Sequence, residues 1–368
     1  MPSRSLTSWA HVGRRVAEAR KAADLSHEEL AGRLGLDRTA VSKIESGHRR
    51  VDTLEFTRLA RELGRSIGWF VTDPPVAIVS RRGVAAAPKS RRVDALLEEL
   101  AQDVELVLDL GVLSPPEVRR APRRIEAVGD AEAAALEFRE DQAIAPGPLR
   151  DIQGHAERFG LYAFSLNLAS GFDGASLALR RGGVALINGS ADHGRRRFTL
   201  AHEIGHHVLA DEYSADFDVT AGVEGRERLI NAFAIHLLMP RPSVGFRWKE
   251  LVGTLGVHGA AITLSAEYGA SWSASIPHLQ HLDLIAPSEC AELLGAPPKR
   301  ADYFELGVVV IPELEPPRVP RLYAAAVVKA YKRRAITLER ALEMFHGALR
   351  EVDLPALDKV PFLAVADA

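Results

Sequence analysis

At 368 residues and 47% hydrophobic, the chain is long enough for two or three domains and can bury more than one core. A formal net charge of −3 excludes a global attraction to nucleic acid, and the single cysteine, Cys290, excludes an intramolecular disulfide. No charged-then-apolar leader or long apolar run is found, so the expectation is a cytoplasmic protein with no membrane partner.

The charge is unevenly distributed. Residues 1–72 carry 13 Lys+Arg against 9 Asp+Glu, a net of +4, leaving −7 for the remainder. That asymmetry points to DNA as the partner of the N-terminus. A first helix is predicted over Val12–Ala22, with Val16 and Ala19 inward. Ser26-His-Glu-Glu29 is a capping box that opens a second helix through Leu30, Ala31 and Leu34. Gly35 breaks it, and Asp37 caps a third helix in which Val41 and Ile44 are inward while Arg38, Thr39, Ser42 and Lys43 face out. Leu25-Ser-x-Glu-Glu-Leu-Ala31 together with Val41-Ser-Lys-Ile-Glu-Ser-Gly47 resembles the XRE/Cro-type helix-turn-helix family over about residues 10–70. The resemblance implies a five-helix DNA-binding domain. It places Arg38 and Thr39 at base edges and Ser42, Lys43, Arg49 and Arg50 at phosphates. His27 stands where the family commonly has a glutamine, which puts a phosphate contact there in doubt.

Residues 73–92 read as a linker, with Pro74, Pro75, Pro88 and the basic pairs Arg81-Arg82 and Arg91-Arg92; its exposed composition also makes it a candidate for self-cleavage. From Val93 the chain is helical again. Val93, Leu97, Leu100, Val104 and Val107 repeat at four-three spacing among the acids Asp94, Glu98, Glu99, Asp103 and Glu105. Two heptads suit either packing within the chain or a homodimer reading two DNA half-sites. A helix over Ile152–Phe159 is followed by short strands at Leu161–Ser165, Ser176–Leu179 and Val184–Ile187, expected to form a small antiparallel sheet. An unpaired edge of that sheet could take the backbone of an extended substrate.

His202-Glu203-Ile204-Gly205-His206 is the most chemically specific segment. On a helix, a four-residue step brings the two imidazoles to one face, where they can share one Zn2+, and sets Glu203 beside a water that the metal would activate. Phe198, Leu200, Ala201, Ile204, Val208 and Leu209 form the apolar stripe that buries this helix. A catalytic zinc takes three protein ligands. A histidine six residues beyond His206 is excluded because Glu212 stands there. The next helix, Glu227 to Pro240, buries Leu229, Ile230, Phe233, Leu237 and Leu238, with Glu227 and Asn231 one turn apart on its polar side. Glu227 is assigned as third ligand and Asn231 as an amide that orients a ligand or ties the two helices together. Asp211, Glu212, Asp216, Asp218 and Glu224 in the intervening stretch compete with Glu227. Arg195, Arg196 and Arg197 fall near the start of the zinc helix, where the helix dipole disfavours cations; acids of the sheet or of a substrate would explain them.

Arg195-Arg-Arg-Phe-Thr-Leu-Ala-His-Glu-Ile-Gly-His206, followed by Glu227-x-x-x-Asn-x-Phe-Ala-x-x-Leu-Leu-Met-Pro240, resembles the ImmA/IrrE family of bacterial and phage metallopeptidases over about residues 133–290. The resemblance implies a zincin-like domain with His202, His206 and Glu227 as ligands and Glu203 as general base. It also implies a regulatory role, cutting or inactivating helix-turn-helix repressors in stress response or mobile-element control. Ile230 and His236 depart from the family's usual small residues, which bears on packing rather than chemistry.

Beyond Pro242, helices are expected across Ala266–Leu284, Ala324–Lys332 and Leu338–Arg350, with Pro312–Pro320 an ordered proline-rich connection. The combined expectation is a mostly helical α+β protein. Residues 1–72 form the helix-turn-helix domain, 73–132 a linker and amphipathic helix, 133–250 the peptidase domain and 251–368 a helical C-terminal region. The leading function is a zinc metallopeptidase acting on a transcription-related protein, possessing its own DNA-binding domain. Mn2+ or Fe2+ fits the same two-His, one-carboxylate donor set. The alternative is a transcriptional regulator whose peptidase-like domain is a sensor or oligomerisation module. A retained Glu203 favours the peptidase, since a structural zinc needs no general base.

Overall fold

The structure is a computed structural model that describes residues 8–65, 67–71, 78–82, 87–115, 125–168, 171–209 and 222–357. Five short helices open the chain: α1 (Trp9–Ala22), α2 (His27–Leu34), α3 (Arg38–Glu45), α4 (Thr53–Glu62) and α5 (Ile67–Val71). The caps read from the sequence are in place. Ser26 accepts from Glu29 N while the Glu29 side chain accepts from Ser26 N, Gly35 ends α2 in the left-handed region at φ 69°, and Asp37 accepts from Ala40 N to start α3. Val16, Leu30, Val41, Ile44, Leu59, Trp69 and Phe70 close a core of their own.

The segment read as a linker contains a strand, β1 (Ile78–Arg82), and its residues 87–92 belong to the long helix α6 (Ala87–Asp109). Pro74 and Pro75 lie outside the described residues. Next come α7 (Val128–Asp141), α8 (Ile152–Arg158), β2 (Leu161–Leu166), β3 (Gly174–Leu179) and β4 (Gly182–Asn188). The strands form one sheet in the order β1-β3-β4-β2. It is mixed, correcting the antiparallel expectation: β3 runs antiparallel to β1 and β4, but β2 is parallel to β4, with Leu161 opposite Gly183 and Leu166 opposite Asn188. The long β2–β3 connection returns the chain so that β3 lies beyond β4 from β2, and the tight β3–β4 turn then brings β4 back between them.

The remaining helices are α9 (His193–Val208), α10 (Gly222–Leu238), α11 (Arg241–Tyr268, broken at Gly256), α12 (Trp272–His281), α13 (Pro287–Gly295), α14 (Arg300–Glu305), α15 (Arg321–Lys332) and α16 (Leu338–Met344). The sheet separates two cores. On one face, Leu161, Ala163, Ala185 and Ile187 meet α9, α10 and α7 through Leu200, Ile204, Phe233 and Phe138. On the other, Tyr162, Phe164, Leu177 and Leu186 meet α6, α15 and α16. The expected domain boundaries at 132/133 and 250/251 fall inside α7 and α11, and the C-terminal helices contribute to both cores.

The apolar stripe of α6 is covered within the chain. Val93, Leu97, Leu100, Val104 and Val107 are all buried against the sheet and α15, which takes away the surface a homodimer would have used. Its acids serve the other neighbours: Glu98 pairs with Arg15 at 2.8 Å, Glu99 with Arg65 at 2.9 Å, and Asp103 with Arg340. Arg15 also stacks on the Trp69 ring, 3.5 Å from its centroid, so α6 is the element on which the N-terminal helices dock. At the far sheet edge, Ser165 exchanges backbone hydrogen bonds of 2.9 and 2.8 Å with Arg318 from the proline-rich connection. Among the described residues no helix is long and apolar enough to cross a membrane.

Candidate active site and DNA interface

Helix α9 lies across the sheet and against α10, and the crossing is close because Gly205 carries no side chain. A Cβ there would stand 3.0 Å from Phe233 Cδ1 and 3.2 Å from Ile230 Cγ2. Ile230, one of the departures noted above, is fully buried at this crossing. The approach brings Glu227 over the two histidines. His202 Nε2 and His206 Nε2 are 3.1 Å apart, His202 Nε2 is 3.3 Å from Glu227 Oε2, and His206 Nε2 is 3.4 Å from Glu227 Oε1. Tetrahedral ligands on zinc bonds of about 2.0–2.1 Å stand about 3.3 Å apart. The two ring nitrogens and the two carboxylate oxygens thus converge on one spot at close to that spacing, and His202, His206 and Glu227 are the one metal-capable group among the described residues.

The electrostatics agree with that grouping. Burial works against ionisation of Glu227, but hydrogen bonds and charge from His202 and His206 outweigh it and hold the carboxyl well below the usual carboxylate range. Asn231 Oδ1 accepts from His202 Nδ1 at 3.1 Å, so the ring's other nitrogen, Nε2, is the one turned to Glu227. Glu203 is fully buried, and its Oε2 accepts from Ser176 Oγ at 2.6 Å. In the sequence Ser176 is marked only as the start of a strand. Its neighbour on the same face, Gly174, approaches Thr199 of α9, so this face of β3 is turned toward the helix carrying Glu203. Asp211, Glu212, Asp216 and Asp218 lie outside the described residues, as does the Glu224 side chain.

The three arginines have partners inside the protein. Arg195 Nε is 2.7 Å from Asp173 Oδ1, and Arg196 donates to Gly189 O at 2.9 Å. Arg197, buried, pairs with Glu313 and donates to Leu149 O at 2.7 Å and Gly269 O at 3.1 Å, tying α9 to three separate connections. His236, the second departure, is fully buried beside His278, with ring centroids 4.7 Å apart.

In the N-terminal helices, Arg38, Thr39, Ser42, Lys43 and Arg50 are exposed. Thr39 Oγ1 donates to Asp37, and Arg49 is half-buried and paired with Glu55 at 2.6 Å, so both would have to exchange partners on DNA. The His27 ring is 2.9 Å from Glu45 Oε2, an acceptor also used by Arg20 at 3.1 Å, and is half-buried against the module.

Residues 16–70 match the family model Helix-turn-helix, and residues 156–275 match that of the IrrE N-terminal-like domain. The chain joins a helix-turn-helix module to an IrrE-like domain. The radiation response metalloprotease IrrE of Deinococcus radiodurans is 38% identical over 94 residues, covering 24% of this chain and 28% of that protein. An uncharacterized transcriptional regulator in the ATPase CF(0) region of Rhodospirillum rubrum is 36% identical over 64 residues, covering 17% of this chain and 59% of that protein. The chain therefore spans less than two thirds of each curated relative. The IrrE-like match encloses the whole of α9 and α10, and with them His202, Glu203, His206, Glu227, Asn231 and Ser176.

Proposed function

We propose that the protein is a cytoplasmic, metal-dependent endopeptidase that regulates transcription, cutting a transcription-related protein such as a helix-turn-helix repressor while its own N-terminal module engages DNA. The observation carrying this reading is the convergence of His202 and His206, on the helix that also bears Glu203, with Glu227 of α10 at 3.1–3.4 Å between donor atoms. His202, His206 and Glu227 would hold the metal, which we read as zinc from the His-Glu-x-x-His donor pattern. Such an ion supplies Lewis acidity, which polarises a peptide carbonyl and acidifies water.

The protein's own groups do the rest. Glu203 takes a proton from the attacking water at a carboxylate oxygen and returns it to the leaving amine. Ser176 donates to Oε2 of that carboxylate, holding it in one rotamer. Asn231 accepts from His202 Nδ1, so that Nε2 is the nitrogen left to bind a metal. The similarity to a radiation response metalloprotease supports the regulatory setting.

The test compares wild type, Glu203→Gln and His202→Ala in cells. Glu203→Gln is expected to retain metal and to stabilise one particular protein, the substrate, while cleavage of that protein falls by about 10²-fold or more. If Glu203→Gln keeps its metal and leaves every cellular protein and transcript at its wild-type level, the peptidase reading is lost.

A further inference from the structure

Strand β1 lies where an exposed linker was expected. Its backbone pairs antiparallel with β3, Ser80 opposite Ser176, Arg81 opposite Ala175 and Arg82 opposite Gly174, and it also lies alongside α9. Ser176 is the residue that hydrogen-bonds Glu203. Paired strands stand about 4.8 Å apart, so the β1 backbone at Ser80 runs one strand spacing from the residue that positions the general base. Without β1, the outer edge of β3 would present a row of free N–H and C=O groups able to pair with any extended backbone.

We propose that residues 78–82 are a resident competitor for substrate: they occupy the edge of β3 on which an extended substrate segment has to pair, and cleavage waits on their withdrawal. This rests on the peptidase reading above. The occupant is built to be removable. It has five residues, is bonded on one side only, and is interrupted by a bulge between Ile78 and Ser80. Its position in the chain supplies the means, because it joins α5 of the DNA-binding module to α6, on which that module docks through Arg15–Glu98 and Arg65–Glu99. Separation of the module from α6 displaces one of the two elements between which β1 is strung in the chain, which makes access to the site responsive to what the module binds.

The test uses the full chain with Ile78–Arg82 replaced by Gly-Ser-Gly-Ser-Gly, and a milder variant, Ser80→Pro. The probe is a fluorescent synthetic peptide with the sequence of residues 76–84, followed by anisotropy with and without zinc, while amide hydrogen exchange is measured over residues 174–179. Both variants are expected to bind the peptide at least about tenfold more tightly than wild type and to exchange faster on β3 until the peptide is added. Equal peptide binding by all three proteins, with β3 equally protected, overturns the proposal. So does a spontaneous N-terminal fragment ending within 78–82, since the strand would then be cut and not block. Peptide uptake and exchange need no catalysis, so uptake by the variants without cleavage of any protein counts against the peptidase reading alone.

Discussion

His202 can present Nε2 to a metal only while Nδ1 carries the proton, and the acceptor that keeps it there is Asn231 Oδ1 at 3.1 Å. Replacing Asn231 with Ala removes that acceptor without touching a proposed ligand. Zinc affinity, measured by chelator competition, is expected to fall about 10- to 100-fold; unchanged affinity would leave Asn231 with no role beyond packing α9 and α10 together. At this scale the sequence was informative about groups that lie on one helix or at a helical repeat. His202, Glu203 and His206 are set by four-residue spacing, and Glu227 and Asn231 by one turn of the following helix. Ser176 was not legible, because its contact with Glu203 spans 27 residues and depends on which face of β3 meets α9.

Periodicity in α6 identified the buried stripe but not its partner. Val93 through Val107 are buried against the sheet's second face, and nothing in four-three spacing distinguishes a sheet from a second helix. Leu100 is fully buried there, so Leu100→Ala is expected to cost about 2–5 kcal/mol in denaturant unfolding, with a midpoint independent of protein concentration. A midpoint that rises with concentration would return the stripe to a two-chain interface. For the DNA-binding module, capping residues made α2 and α3 legible. Arg38→Ala is expected to relax sequence preference at one base position, whereas Lys43→Ala weakens all sites and lowers the salt slope by about 1; indistinguishable effects in binding titrations would contradict the assigned contacts. Strand β1 is not legible in the sequence because its five residues stand among prolines, arginines and a glycine, and its pairing partner lies about a hundred residues away.

The whole molecule depends on helices that the sequence presented as a separate C-terminal region. They complete both cores, and α10 and α12 enclose His236 and His278. Burial, reinforced by His281 and Arg241, pushes His236 down to about 4, and burial with His236 beside it pushes His278 down to about 3, both from 6.5. The unfolded chain takes up protons below pH 6.5 that the folded one refuses. Stability is therefore fully present above that value and falls as pH drops toward 4, by roughly 3 kcal/mol for His236 alone. His236→Leu is expected to flatten this acid limb in melts of the metal-free protein; an unchanged limb would show that His236 is not the responsible group.

The donor triangle is tested most directly by the zinc content of the purified full chain, measured by elemental analysis beside Glu227→Ala and Glu203→Gln. One tightly held zinc per chain is expected in wild type and in Glu203→Gln, and little or none in Glu227→Ala. A wild-type protein that binds no divalent ion, or a Glu227→Ala protein that holds zinc as tightly as wild type, would contradict the site.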